Sequence, residues 1–174
     1  MGSAAPLILG VDDEGGGSDP AEPNSPRHLH AVGGNAGEAI GGPTVVLVVE
    51  DDPAMQLLVA FNLEAAGFRV VVATTGHEGI ELAAAEKPDL VLLDVMLPDL
   101  GGFDVAEQLR AVPIVFMSAR ASGSDLERGR AAGAIDYVTK PFDPVALAGR
   151  LREDLEELKR SGAEQVWHLR HGTT

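Results

Sequence analysis

Val45-Val46-Leu47-Val48-Val49-Glu50-Asp51-Asp52-Pro53 is the stretch on which the reading of this chain turns. Five consecutive apolar residues, most of them β-branched, suit a strand buried on both faces. Two acids follow at once. An Asp-Pro step then opens a helix, with Asp52 as N-cap and Pro53 at the first helical position. Met55, Leu58, Val59, Asn62 and Leu63 fall near one face of that helix, and Gly67 provides its exit. A fully buried strand that runs straight into a helix is the first half of a parallel βα unit.

The same texture repeats downstream. Further strands are expected at Arg69 to Ala73, Leu90 to Asp94, Ile114 to Ser118 and Ile135 to Thr139. Helices are expected at Gly76 to Glu86, Gly102 to Arg110, Ser124 to Ala132 and Pro144 to Lys159. The last carries Leu147, Leu151, Leu155 and Leu158 as an apolar stripe, whereas the fourth has Leu126 as its only large apolar residue. Five strands alternating with five helices give an α/β fold with a doubly wound parallel sheet, whose ligands sit at the carboxyl ends of the strands beside the switch point.

The flanks differ. Residues 1 to 42 are rich in Gly, Pro, Ala and acids, too poor in buried surface to offset their ordering entropy, and read as a disordered acidic arm. Residues 162 to 174 are too few for an output domain and read as a C-terminal tail, which leaves 43 to 161 as the folded unit. The formal net charge of −14 argues against a nucleic-acid backbone as partner, because no basic surplus exists to displace counterions. A protein partner is expected instead. With no cysteine there is neither a disulfide framework nor a thiolate metal site. No run of about eighteen apolar residues is present to cross a bilayer, and no basic start with an apolar run marks a secretory signal, so a cytoplasmic protein is expected.

Chemistry enters through what stands at the strand ends. Glu50 and Asp51 follow the first strand, Asp94 ends the third, Ser118 ends the fourth, and Lys140 follows the fifth. Each alone has an ordinary explanation: an acid after a strand commonly caps the next helix, as Asp52 does, strand-ending serines are frequent, and most lysines are solvated. Their coincidence at matching ends of one sheet is harder to assign to capping. Three carboxylates brought together repel one another unless a divalent cation sits among them. Oxygen-only ligands select a hard ion, and Mg2+ is the usual one in cells. Lys140 would then balance charge on transferred phosphoryl oxygens, Ser118 would donate to one of them, and Asp94 remains as the nucleophile that forms an aspartyl phosphate. Tyr137 reads equally well as a half-buried core aromatic.

These residues resemble the CheY-like receiver domain of two-component response regulators. The likeness runs from about Thr44 to Arg160 and rests on the opening stretch above, on Asp-Leu-Val-Leu-Leu-Asp-Val-Met-Leu-Pro-Asp at 89 to 99, on Phe-Met-Ser-Ala-Arg at 116 to 120, and on Asp-Tyr-Val-Thr-Lys-Pro-Phe at 136 to 142. It implies a flavodoxin-like strand order 2-1-3-4-5. It further implies Asp94 as phosphoacceptor, Asp51 as a direct Mg2+ ligand, Glu50 as a second-sphere or water-mediated acid, and the Met96 backbone carbonyl as another ligand. Ser118 becomes the switch hydroxyl, Tyr137 the switch aromatic that turns inward, and Lys140 the phosphate-contacting amine, followed by a cis Lys140-Pro141 bond. The implied partners are a histidine kinase or phosphotransfer protein upstream and an effector protein downstream. A phosphorylation-dependent homodimer through the fourth helix, fifth strand and fifth helix is also implied. Against it, regulators resembling the OmpR class carry a Glu late in the fourth helix and two acids before the switch aromatic, where this chain has Gly129-Arg130-Ala131-Ala132-Gly133 and Ala134-Ile135-Asp136.

The reading is therefore a stand-alone phosphorelay switch, modifying only itself and turning over no separate metabolite. A phosphate-independent adaptor with the same fold is the alternative, and the complete set Asp94, Asp51, Ser118 and Lys140 weighs against it. A Mg2+-dependent phosphatase would want a second catalytic acid two residues past the nucleophile, where Met96 stands.

Overall fold

The computed structural model describes residues 42–172, so the arm expected over residues 1 to 42 lies, save for Gly42, outside the described residues. In chain order the elements are β1 (Val45–Val49), α1 (Pro53–Ala65), β2 (Arg69–Ala73), α2 (Gly76–Glu86), β3 (Leu90–Asp94), α3 (Gly102–Gln108), β4 (Ile114–Ser118), α4 (Gly123–Ala131), β5 (Asp136–Thr139), α5 (Pro144–Ser161) and α6 (Ala163–His171). The strands form one parallel sheet in the order β2-β1-β3-β4-β5. The switch point lies between β1 and β3, whose following helices cover opposite faces.

Period-two alternation builds the two layers. Val46 and Val48 of β1 face a cluster with Val59 and Leu63 of α1 and Leu147 and Leu151 of α5. Leu47 and Val49 face Ala83 of α2 and Phe103, Val105 and Ala106 of α3. Because both faces are covered, β3 and β4 are buried throughout, as uninterrupted apolar strands require.

Helix starts follow the sequence punctuation. Asp52 caps α1 by accepting from the Ala54 and Met55 amides at 2.8 and 2.9 Å, with Pro53 at the first position. Gly67, at φ 92°, carries the chain out in a conformation that favours glycine. The helix with least apolar content, α4, is held at its start by a reciprocal capping box between Ser122 and Asp125. The Lys140-Pro141 bond is cis.

Two expectations need correction. Helix α3 ends at Gln108 and not Arg110, since Leu109 already leaves helical geometry and Val112 closes a turn onto it at 2.9 Å. The stretch read as a tail contains a sixth helix. Gly162 (φ 88°) breaks the chain after α5, and α6 then runs along the outer edge of β5 and packs on α5. Val166 enters the α1/α5 layer and Trp167 enters the opposite layer beside Phe116 and Tyr137. Burying a side chain of the size of Val166 is worth roughly 1.5–3 kcal/mol, enough to recruit a nine-residue helix that would not form alone.

Candidate functional site

The carboxyl ends of β1, β3, β4 and β5 meet at one end of the sheet, bringing together Glu50, Asp51, Asp94, Ser118 and Lys140. One oxygen from each of Glu50, Asp51 and Asp94 lies within 4.8 Å of the others. Glu50 and Asp94 are buried while Asp51 is exposed, so the cluster is closed behind and open in front. Lys140 Nζ donates to Glu50 Oε2 and to Asp94 Oδ2, each at 2.6 Å. Its backbone amide donates to the Ser118 carbonyl at 2.7 Å, which fixes the lysine directly after the last strand.

Charge explains the arrangement. Three carboxylates face one ammonium, which leaves a surplus of negative charge in a half-buried space. Burial pushes the Glu50 carboxyl above its usual range, and the charge on Asp94 adds to the rise, while the Lys140 hydrogen bond opposes both. Burial alone would lower the Lys140 ammonium, yet its hydrogen bonds to Asp94 and Glu50 outweigh that and hold it above its ordinary value. The donor set, all oxygen with one carboxylate open to solvent, fits a hard divalent ion that keeps part of its water shell.

Asp94 is held at both oxygens, since Oδ1 accepts from the Met96 amide at 2.9 Å. The Met96 side chain itself is exposed. Ser118 is buried, and its Oγ accepts from the Arg120 amide at 3.0 Å. Tyr137 points inward: it is 2% exposed, its hydroxyl donates to the Arg120 carbonyl at 2.7 Å, and its ring lies 5.9 Å from that of Phe116. Arg120 thus joins Ser118 to Tyr137 through its own backbone.

Three supporting residues escaped the sequence reading. The Gln56 side-chain amide donates to the Glu50 carbonyl and ties α1 to the acidic turn. Asp99 accepts from the Gly76 and His77 amides at 2.8 and 3.0 Å and contacts His77 Nδ1 at 2.6 Å, fastening the loop after β3 to the start of α2. Those bonds, with the His77 amide foremost, hold its carboxyl below the usual range. No spacing rule links positions so far apart in sequence. Gly102 was read only as the first residue of a helix.

Gly102 bears on Asp94 directly. Its amide donates to the Val95 carbonyl at 3.0 Å, and a Cβ built on it would overlap the Asp94 carbonyl oxygen and stand 2.7 Å from Val95 Cα. Backbone atoms on both sides leave nothing flexible to yield. Gly102→Ala is therefore expected to destabilise the protein by about 1–3 kcal/mol, the range for overpacking, and to displace Asp94. Chemical denaturation would read the first effect, and the rate of phosphoryl uptake the second. An unchanged midpoint with unchanged uptake would remove the close-approach argument.

A family model described as the response regulator receiver domain matches residues 46–152. The transcriptional regulatory protein CseB of Streptomyces coelicolor is 43% identical over 122 residues, which is 68% of this chain and 52% of that protein. The alkaline phosphatase synthesis transcriptional regulatory protein PhoP of Bacillus subtilis is 41% identical over 111 residues, 62% of this chain and 46% of that one. Among solved structures, the BeF3-activated receiver domain of Klebsiella pneumoniae RstA superposes with TM-score 0.61 at 38% identity, covering 64% of this chain and 98% of that domain. A CheY-like receiver domain protein from Methanospirillum hungatei gives TM-score 0.65 at 30% identity, covering 70% and 100%. The chain spans about half the length of the curated relatives it matches. Because those relatives are named as transcriptional regulators, the expectations of a stand-alone unit and of no nucleic-acid partner lose their support. No helix among the described residues is long and apolar enough to cross a membrane.

Proposed function

Since the chain belongs to the response regulator receiver domain family, and so works as a phosphorylation-dependent switch of a two-component system, we propose that Asp94 is its phosphoacceptor. The observation that carries this is the double hold on Asp94, by Lys140 on one oxygen and the Met96 amide on the other, inside an acidic cluster. Residues 43 to 161 form the receiver unit in this reading, with α6 packed against it through Val166 and Trp167. Asp51, Asp94 and the Met96 carbonyl would hold Mg2+, with Glu50 acting through water. When bound, the ion supplies charge neutralisation for the phosphoryl oxygens.

The transfer balances simply. An Asp94 carboxylate oxygen attacks the phosphorus of a donor, either the phosphoimidazole of a histidine kinase or phosphotransfer protein, or a small acyl phosphate. The P–O bond to Asp94 forms as the bond to the leaving group breaks, and the imidazole or carboxylate departs with the electron pair. Lys140 holds charge on the moving oxygens, and the Ser118 hydroxyl donates to one of them once phosphorylated. Added charge and acceptors at this point bias the loop that joins Ser118, Arg120 and Tyr137. The chain modifies only itself, acts in the cytoplasm as its family does, and passes the signal to an effector. The names of its relatives favour a transcriptional output.

Incubation with acetyl phosphate or phosphoramidate, with Mg2+ or with EDTA, tests the reading by intact mass. One phosphoryl group is expected per chain, dependent on Mg2+. No adduct with either donor, or one indifferent to EDTA, would overturn it.

A further inference from the structure

We infer that Asp99 is a positioning residue for the metal site: its carboxylate clasps the start of α2 and thereby fixes the loop, Val95 to Gly102, that presents the Met96 carbonyl. The inference rests on the Mg2+ reading of the acidic cluster given above. Asp99 is not itself one of the acids of that cluster.

The loop is tied at two places. At its base the Gly102 amide donates to the Val95 carbonyl at 3.0 Å, and the Val95 amide donates to the Met117 carbonyl of β4 at 3.1 Å. At its tip Asp99 accepts from the Gly76 amide at 2.8 Å and the His77 amide at 3.0 Å, and it meets His77 Nδ1 at 2.6 Å. Between the ties Met96 and Pro98 are exposed and Leu97 is only partly buried, so packing does little to place this backbone. The Met96 amide is already given to Asp94 Oδ1. The two ties are therefore what sets the direction of the Met96 carbonyl.

Of the two bodies that Asp99 joins, α2 is the fixed one, because it has a start of its own. Thr75 Oγ1 accepts from the Glu78 amide at 3.2 Å, and Glu78 in turn accepts from the Thr74 amide and hydroxyl at 2.7 and 2.8 Å. Gly76 lets the loop come close: a Cβ built there would stand 3.0 Å from Leu100 Cβ and 3.3 Å from the Leu100 carbonyl oxygen. A carboxylate that takes two amides at a helix N-terminus, where the helix dipole favours negative charge, is a directional anchor. Since Thr75 already caps the helix, what Asp99 adds is the place of the loop. A ligand carbonyl on a freed loop binds its ion less well, because the loop has to be ordered again at each binding event.

Calorimetric titration of the full chain with Mg2+, without phosphodonor, reads this directly. Asp99→Ala should weaken Mg2+ binding by about tenfold, the lower end of what outer partners of metal ligands contribute. Asp99→Asn keeps one of the two acceptor oxygens and should fall between. In uptake from acetyl phosphate, Asp99→Ala should need correspondingly more Mg2+ for its half-maximal rate, yet come within about twofold of the parent at saturating Mg2+, because Asp94, Lys140 and Ser118 are untouched. Thr75→Ala is the control: it removes a cap from the same helix, should lower the thermal midpoint, and should leave Mg2+ affinity unchanged. If the parent binds Mg2+ and Asp99→Ala binds it equally well, or Thr75→Ala weakens it as much, the inference is overturned and the metal reading stands. A parent that binds no Mg2+ would overturn both.

Discussion

Asp94→Ala is expected to take up no phosphoryl group from acetyl phosphate in Mg2+, where the parent takes up one, and to leave the fold intact. The two neighbouring acids do not substitute. Glu50 is buried with one oxygen committed to Lys140, which keeps it from an incoming phosphoryl donor. Asp51 is exposed, and the two groups that hold Asp94, the Met96 amide and the Lys140 ammonium, donate to Asp94 and not to it. Stability should change little, because the lost Lys140 contact is offset by relief of repulsion within a cluster that carries more negative than positive charge. Intact mass with peptide mapping measures the first part, and a thermal midpoint within about 4 °C of the parent, the shift that about 1 kcal/mol produces in a domain between the small and large size classes, measures the second. A comparable adduct appearing on Glu50 or Asp51 in the variant would defeat the assignment of Asp94.

The parts of this protein that were readable in sequence are those where one local rule dominates. Uninterrupted runs such as Val45 to Val49 and Leu90 to Asp94 left no other element type open, and Asp52-Pro53 fixed the start of α1 to the residue. The cluster of Glu50, Asp51, Asp94, Ser118 and Lys140 was legible because parallel strands put their carboxyl ends on one side, so that position along each strand stands in for position in space. What stayed hidden depends on contacts across the fold. Helix α6 has only Val166 and Trp167 to bury, and neither forms a stripe; the β5 edge that receives them is a property of the sheet and not of residues 163–171. Gly129 carries no side chain within α4, and its use is to admit the rings of Tyr137 and Trp167. Asp99 serves a helix that begins more than twenty residues earlier, and nothing local marks that partnership.

Lys140→Ala should reveal how far the site relies on one cation. Its Nζ is the only positive charge that directly contacts Glu50 and Asp94 among the described residues, at 2.6 Å to each, and its side chain is 16% exposed. Removing a preorganised electrostatic donor of this kind typically costs about 10²–10³ in rate, so phosphoryl uptake should slow by about that factor with Asp94 still the acceptor. The same change strands two buried carboxylates. Breaking a buried pair costs roughly 3–5 kcal/mol when the charge left behind is fully enclosed, and the open front at Asp51 should hold the loss in metal-free buffer to about 1–3 kcal/mol. A divalent ion then has more to neutralise in the variant than in the parent. Mg2+ should accordingly raise the thermal midpoint of Lys140→Ala by more than it raises that of the parent, even as transfer becomes slower. Opposite movement of rate and metal-induced stabilisation distinguishes a charge-balancing lysine from one that merely packs: a packing role predicts lower stability in both buffers by the same amount. Equal Mg2+ shifts in the two proteins, or uptake at the parental rate, would count against the charge-balance account of the site.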